Sequence, residues 1–527
     1  MNDTSILIPE NILPPPSGLY GGVHHWLEES IWGHRLWYRQ TPWLIFLEML
    51  GIADARMAAN KPFGSTPHFD YDEIRSRKRL LLRHLLYRNA EVSSIAAKQR
   101  SDAELWDMWT EYFKKQLDEE AKIDFSVLRH RFPHFRDFAA TIKLLRETTV
   151  YPSNATGETS SERRWTSSFV FPFGAAALYV DLDESFSRDA SRFGRAGDIL
   201  YQMLARSRHT ENLKPLFHEF LNTKRQLNRL VQKLQDATAE EWSEKGRESS
   251  YLPYRQHPVY DRLAEDWLHI QKLNLASYDA YQHYVILATF HLILYHLETA
   301  AAWIGNRQVR FFCEVLAPRM EVVRRISIES FQRNEGATGL ALNAAWQKLF
   351  TSEDFRLKDE ELQNESSDDR VAGIRDYIHE KIELPKDDCL DCSSIEELKS
   401  KIWENIELKA EDNIGQLHRA YGRACGLVSR RGARLYRYAP TDSFLKTIVL
   451  VTVEKRMELR EFLQTIFHRY HLIFGPVEAN EARDEANFDA STFEKNARRL
   501  EERLKSMGML NRLSDGIAFV ENPNLLS

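Results

Sequence analysis

Cysteine is scarce. Cys313, Cys389, Cys392 and Cys425 are the four in 527 residues, too few for the disulfide framework of a secreted scaffold and in keeping with a reducing compartment. Residues 1–16 lack a basic segment, an apolar run and a small-residue cleavage site, so no signal peptide is expected and the expected location is cytoplasmic. Long apolar runs are missing too. The most apolar window, 284–297, holds His291 and His296 and falls short of the roughly 20 residues that span a bilayer. It is expected to be a buried helix, with no membrane partner. There is no GxxxxGK[ST] phosphate loop, no GxGxxG after a strand, no GxSxG elbow and no kinase motif set. No catalytic residue, metal or cofactor is therefore assigned. Positive charge is also lacking overall: the formal net charge is −6, so any nucleic acid must be held by a local patch.

What is present is an ordinary globular composition, 43% hydrophobic and 28% charged, with length for three or four domains at about 100–200 residues each. Apolar residues recur at three- and four-residue spacing through most of the chain, which predicts a mainly α, multi-domain helical protein. Thr41, Pro42 and Gly51 mark the ends of one short buried helix. Asp70 and Glu73 have capping-box order before the stripe of Ile74, Leu81, Leu82, Leu85 and Leu86. Leu227, Leu230, Val231 and Leu234 line one side of a helix whose other side is polar, so it packs on one face.

Polar stretches near 152–164, 236–252, 352–370 and 477–490 suggest boundaries. They give an aromatic-rich helical domain at 1–150, a central helical domain at 165–350, an acidic linker with helices at 351–420, and a final domain at 421–527. Eight acids against Arg356 and Lys358 between Glu353 and Asp369 read as a solvated linker or helix face, or as a lure for a basic partner. A small β element is expected near 169–182, where Phe169 to Phe173, a turn at Gly174 and Leu178 to Leu182 look extended, with Pro172 favouring an edge.

The last hundred residues have an informative order. Phe444, Leu445, Ile448, Val449 and Val451 mark a first helix from Thr441 or Asp442. Leu459, Phe462, Leu463, Ile466 and Phe467 mark a second, reaching Leu472. Phe493, Ala497, Leu500, Leu504 and Met507 mark a third over 491–507, ended by Gly508. A hairpin follows, 510–513 and 517–520 around Ser514, Asp515 and Gly516. Three helices and a hairpin predict a C-terminal winged-helix-like module. Its third helix offers Lys495, Arg498, Arg499, Arg503 and Lys505 to phosphates and Asn496 to a base edge, with Glu494, Glu501 and Glu502 among them. Docking of a protein partner is the alternative role for that helix. Upstream, Tyr421 to Thr441 carries Arg423, Arg430, Arg431, Arg434 and Arg437, no acid, and the interleaved rings of Tyr421, Tyr436 and Tyr438. This is the best local basic patch in the chain, with cations for phosphates and rings for stacking; the plainer reading is a solvated loop and strand packed on an acidic neighbour such as 353–369. Residues 421–527 carry a net +3 and the remainder about −9.

Other constellations are weighed against plainer roles. Cys389 and Cys392 form one CxxC without a matching second pair, although His379, His418 and Cys425 are near in sequence. Two incidental thiols are expected rather than zinc. His24 with Glu28, or His25 with Glu29, would share a helix face, but HExxH is absent. Trp26, Trp32, Trp37 and Trp43 point instead to an aromatic core or a partner-binding surface. Glu407 and Lys409 offer half of a nuclease-type ExK site whose upstream acid is not identifiable.

Arg192 to Arg195, Gly197 to Ser207 and the Gly21–Trp43 stretch resemble a large subunit encoded in bacterial multigene antiphage loci of the methylation-associated defence type. The resemblance transfers no catalytic residue. It implies a bacterial antiviral defence component conferring phage resistance, with partners such as a DNA methyltransferase, a specificity subunit or ATPases. The expected function is then a non-enzymatic scaffold or DNA-sensing subunit. A cryptic metal-dependent nuclease or a winged-helix transcriptional regulator are the rivals, and the latter predicts a preferred operator sequence.

Overall fold

A computed structural model of the chain describes residues 23–33, 36, 38, 40–58, 60, 63, 85–86, 89, 91–115, 125–147, 174, 196–222, 224–234, 251–305, 308–315, 321–382, 392–411, 413–431, 434–482, 489, 491–513 and 517–525. The protein is mainly α, with a few short strands. It forms two compact units, neither of them a continuous stretch: Met1–Pro42 with Gly194–Thr210 and Ser250–Ser527, and Trp43–Phe193 with Glu211–Ser249. The expected β element at 169–182 lies outside the described residues except for Gly174, which has a left-handed backbone (φ 85°). The Asp70 capping box and its stripe also lie outside them, apart from the buried Leu85 and Leu86.

In the Trp43–Phe193 and Glu211–Ser249 unit, helix Asp102–Lys114 opens with a capping box. Ser101 Oγ accepts from the Glu104 amide, and the Glu104 carboxylate accepts from the Ser101 amide at 3.0 Å. Trp106, Trp109 and Phe113, at helical spacing, are buried against Phe135, Phe138 and Ile142 of helix Phe135–Glu147. The one polar ring atom of Trp109 is satisfied, Nε1 donating to Asn89 Oδ1 at 2.9 Å. Helix Gln226–Lys233 gives Val231 to the same core, joined by Leu234 just beyond its end, and keeps Arg229, Gln232 and Lys233 exposed, as expected of a one-sided helix. Helix Pro42–Ala58 does not stop at Gly51. Glycine costs only about 1 kcal/mol in a helix interior, and the buried Ile52 and Ala53 beyond it make continuation favourable.

The other unit is built around the 27-residue helix Ser277–Trp303. It is apolar on all sides, and such a helix must be enclosed. Helices Val23–Trp32, Pro258–Lys272, Glu321–Thr351, Leu417–Cys425 and Asp442–Thr452 pack around it. By length and composition it is the one described helix that could cross a membrane, yet 89% of its apolar stretch is buried within the protein. Its polar side chains are paired inside the core. His283 Nδ1 lies 2.7 Å from Thr447 Oγ1, and His296 Nε2 lies 2.9 Å from Thr338 Oγ1. His291 Nδ1 donates to Leu287 O at 2.9 Å.

The acidic run forms helix faces rather than a bare linker: Glu353–Glu361 and the start of Ser367–Ile382. Five of its eight acids are met locally by cations, Arg356 pairing with Glu353 and Glu360, Lys358 with Glu361, Arg370 with Asp359 and Lys381 with Asp354.

The carboxy-terminal elements follow the expected order with additions. Thr441 caps helix Asp442–Thr452, its hydroxyl accepting from the Phe444 amide. Helices Leu459–Tyr470 and Thr492–Ser506 are the second and third expected ones. Gly508 closes the last with the two bonds of a Schellman motif, Met509 N to Leu504 O and Gly508 N to Lys505 O. Strands Leu510–Arg512 and Ala518–Val520 pair antiparallel. A strand the helical spacing did not foretell, Met457–Glu458, pairs antiparallel on the other side of Ala518–Val520. Helix Pro476–Ala482 and strand Leu472–Ile473 are further additions, the strand lying parallel to Phe311–Phe312.

This region is anchored by a buried ionic cluster. Asp266, fully buried on helix Pro258–Lys272, accepts from Arg469 Nη2 at 2.6 Å and from Tyr470 OH at 2.8 Å, with His291 Nε2 at 3.2 Å. Burial works to raise the Asp266 pKa, but the Arg469 guanidinium and the His291 imidazole outweigh it and hold the carboxyl below its usual value. Alongside, Arg262 grips Glu298 through two bonds of 2.5 and 2.6 Å and donates to Arg469 O at 2.7 Å. The left-handed His471, which ends the Leu459–Tyr470 helix, reaches Glu298 at 3.0 Å.

Candidate nucleic-acid interface

Helix Leu417–Cys425 ends at Gly426, whose φ of 86° and closeness to Thr441 Oγ1, 2.2 Å from where a Cβ would sit, admit only glycine. The chain then turns into an antiparallel hairpin, Val428–Ser429 against Arg437–Tyr438, with Ser429 opposite Arg437. Its loop, 430–436, carries exposed Arg430, Arg431 and Arg434. Arg430 Nε donates to Arg434 O at 3.1 Å, folding the loop on itself. Arg423, on the preceding helix, is exposed as well.

The base of this hairpin is rigidly held. Tyr438 exchanges backbone bonds of 3.0 Å with the Ser327 hydroxyl. Its own hydroxyl accepts from Asn334 Nδ2 at 2.8 Å and meets His418 Nε2 at 3.0 Å. The His418 ring stacks on Phe331, and burial pushes its pKa down to about 3, so it is neutral there.

Arg437 is a correction to the expected phosphate contacts. It is fully buried and its Nε binds the buried Glu314 carboxylate, which Arg324 Nε also reaches at 3.0 Å. Arg437 Nη2 donates to Arg431 O at 2.8 Å. It therefore braces the arginine loop from beneath and cannot touch a ligand itself. A buried carboxylate needs such partners, because an unpaired one costs several kcal/mol.

Asn496 is the second correction. It is fully buried: Oδ1 accepts from Val315 N at 2.9 Å, and Nδ2 donates to Cys313 O at 2.9 Å and Phe474 O at 3.0 Å. It clips together three backbone groups and is not available to a base edge. Phe493, one turn before it, sits with Phe312, Val323, Ile326 and Ile473 in a buried cluster. The exposed side of Thr492–Ser506 presents Glu494, Lys495, Arg498, Glu502 and Lys505, a mixed face. Arg499 is half-buried, and Arg503 is spent on Asp442 at 2.5 Å. Glu314 and Val315, adjacent in sequence, thus hold the hairpin base and the last helix to one segment.

The tryptophans divide. Trp32 is buried, stacked on His296 and donating from Nε1 to His296 O at 2.9 Å, so its expected place at a partner surface is corrected to a place in the core. Trp26 and Trp43 are half-buried, and Trp37 lies outside the described residues. Glu28, expected to face His24, is buried and accepts from Asn413 Nδ2 at 3.0 Å. Glu407 and Lys409 sit on the exposed side of helix Ile395–Glu411. Cys392 is half-buried, and Cys389 lies outside the described residues. Among the described residues no group of three metal-ligating side chains converges. The residues behind the family resemblance serve packing where they are described: 196–204 are buried, and Arg206 donates to the Leu252 and Tyr254 carbonyls at 2.8 and 2.6 Å. No family model, curated protein or solved structure matches the chain.

Proposed function

We propose that the chain is a helical scaffold that binds nucleic acid through the 428–438 hairpin, aided by Lys495 and Arg498 on the last helix, with the carboxy-terminal elements acting as a winged helix. The observation that carries this is the hairpin loop: three exposed guanidiniums, no acid between Tyr421 and Thr441, and a base braced by Arg437 and Glu314. Among the described residues, the 353–369 run does not account for the loop arginines. Among the described residues, the ion pairs of the 353–369 run are made with Arg356, Lys358, Arg370 and Lys381. Arginine held in a fixed frame is suited to phosphate, since its planar fork binds bidentately and loses less freedom on contact.

The test is binding of the full chain to DNA across a salt series, beside Arg430→Ala/Arg431→Ala/Arg434→Ala. Each phosphate contact contributes about 0.9 to the log–log salt slope on a duplex, so the triple variant is expected to flatten it by about 2.7. Equal slopes, or no binding at low salt, overturn the proposal. The setting we propose, from the resemblance alone, is a cytoplasmic bacterial antiphage complex. Co-purification with methyltransferase, specificity or ATPase subunits from a native locus tests it.

A further inference from the structure

Resting on that reading, we propose that Arg324 is a further contact of the interface to a backbone phosphate. Glu314 is the positioning residue: it aims Arg324 and, through Arg437, anchors the arginine loop to the same point.

The balance of charge comes first. Glu314 is buried, and two guanidiniums share its carboxylate: Arg437 through Nε, and Arg324 through Nε at 3.0 Å to one oxygen and 3.2 Å to the other. Arginine stays charged in proteins, so these three side chains together carry one positive charge in excess. The buried cluster around Asp266 has the opposite balance, Arg469 being met by both Glu265 and Asp266. Excess charge in a low-dielectric setting is costly until an anion or water meets it.

Geometry decides where that excess can be met. Arg437 is fully buried: Nη2 donates to Arg431 O at 2.8 Å, and Nη1 has no partner among the described residues. Arg324, near the start of helix Glu321–Thr351, is 13% exposed, and the bonds it makes among the described residues all come from Nε. An arginine gripped at Nε keeps both terminal nitrogens for a second acceptor, and that planar fork suits a phosphate. The next residue shows the contrast. Arg325 is 63% exposed and its ion pair is a surface one, with Glu329 at 3.7 Å, a kind that holds a side chain weakly.

A continuous run of contacts then joins Arg324 to the loop. Its Nε, the Glu314 carboxylate, Arg437 and Arg431 O are linked by successive hydrogen bonds. Glu314 N donates to Tyr438 O at 2.8 Å, and Ser327, one turn beyond Arg324 on the same helix, bonds the Tyr438 backbone through its hydroxyl. Arg324 and the loop are therefore set by one frame, and the freedom lost in ordering Arg324 for a ligand is already lost in the fold.

The experiment titrates the full chain with a mixed-sequence DNA duplex across a salt series, as wild type, Arg324→Ala, Arg324→Lys and Arg325→Ala, with thermal unfolding of each. Loss of one duplex phosphate contact lowers the log–log slope by about 0.9, and that fall is expected in Arg324→Ala. Arg324→Lys is the decisive variant. One ammonium can pair with Glu314 but lacks the fork to grip a phosphate as well, so the Tm of the wild type with the slope of the alanine variant is expected. Arg325→Ala is expected to keep the wild-type slope. A lowered Tm with an unchanged slope in Arg324→Ala makes the residue a counter-charge for Glu314 alone and overturns the inference. A full slope in Arg324→Lys, or an equal fall in Arg325→Ala, does the same. Inorganic phosphate, followed by its ³¹P resonance, separates the two sources of this ligand: saturable binding that Arg324→Ala abolishes, with an unchanged duplex slope, assigns the seat to free phosphate and also overturns it. A slope that falls in Arg430→Ala/Arg431→Ala/Arg434→Ala but not in Arg324→Ala leaves the parent proposal standing without this one. No duplex binding by the wild type at low salt overturns both.

Discussion

Asn496→Ala separates a surface role from a structural one. Were the side chain a base reader, its loss would weaken DNA binding and leave the fold untouched. The structure demands the reverse. Truncation removes three buried hydrogen bonds and leaves the Val315 amide and the Cys313 and Phe474 carbonyls without their partner. Each bond contributes about 0.5–1.5 kcal/mol, and each stranded group adds its own desolvation penalty, so a loss of about 3–5 kcal/mol is expected. The damage should be local, because the clip joins the 308–315 segment to the last helix. Hydrogen exchange read by mass spectrometry on peptides covering 308–315 and 470–476 is the assay. At 1.4 kcal/mol per tenfold, protection there should fall about a hundredfold or more, accompanied by a lower Tm. Unchanged protection with weakened DNA binding would refute the burial argument outright.

Two further outcomes are expected. Burial pushes His257, His296 and His418 down to about 3. The unfolded chain, with histidine near 6.5, therefore takes up protons first, and the stability these neutral rings allow is complete above about 6.5 and lost as pH falls toward about 3. At about pH 5 each costs about 2 kcal/mol and the three together about 6, close to a typical domain's whole stability. Circular dichroism should show acid unfolding between about pH 6 and 4.5, and a fold retained at pH 4 would contradict this. Arg469→Met should destabilise by about 3–5 kcal/mol by leaving Asp266 short of its main cation. Adding Asp266→Asn should cost much less than the sum of the two changes; strict additivity in thermal unfolding would show that the pair is not coupled.

How far the chain is legible depends on which question is put to it. The helices of the last hundred residues follow from apolar spacing, and their ends from Thr441 and Gly508, because those signals are local. The aromatic core around Trp106, Trp109 and Phe113 is equally legible, at i, i+3 and i+7 behind a Ser101–Glu104 capping box. The strand Met457–Glu458 was not legible: two residues carry no period, and their pairing partner lies at the far end of the module.

The two site residues that turned out buried fail for different reasons. Asn496 lies three residues after Phe493 and four before Leu500, on the buried stripe itself, so its own helical phase already pointed inward. Its polarity misled because a polar residue on an apolar stripe looks like the edge of the stripe. Arg437 gave no such warning, since the partner that makes its burial tolerable, Glu314, is 123 residues earlier in the chain. Periodicity assigns a face, but whether a charge can stay on a buried face is decided by a counter-charge brought there by the fold. The exposed arginines of the hairpin loop, Arg430, Arg431 and Arg434, have no acidic partner among the described residues. Their exposure beside the buried Arg437 follows from where the fold brings Glu314, and not from their spacing in the sequence.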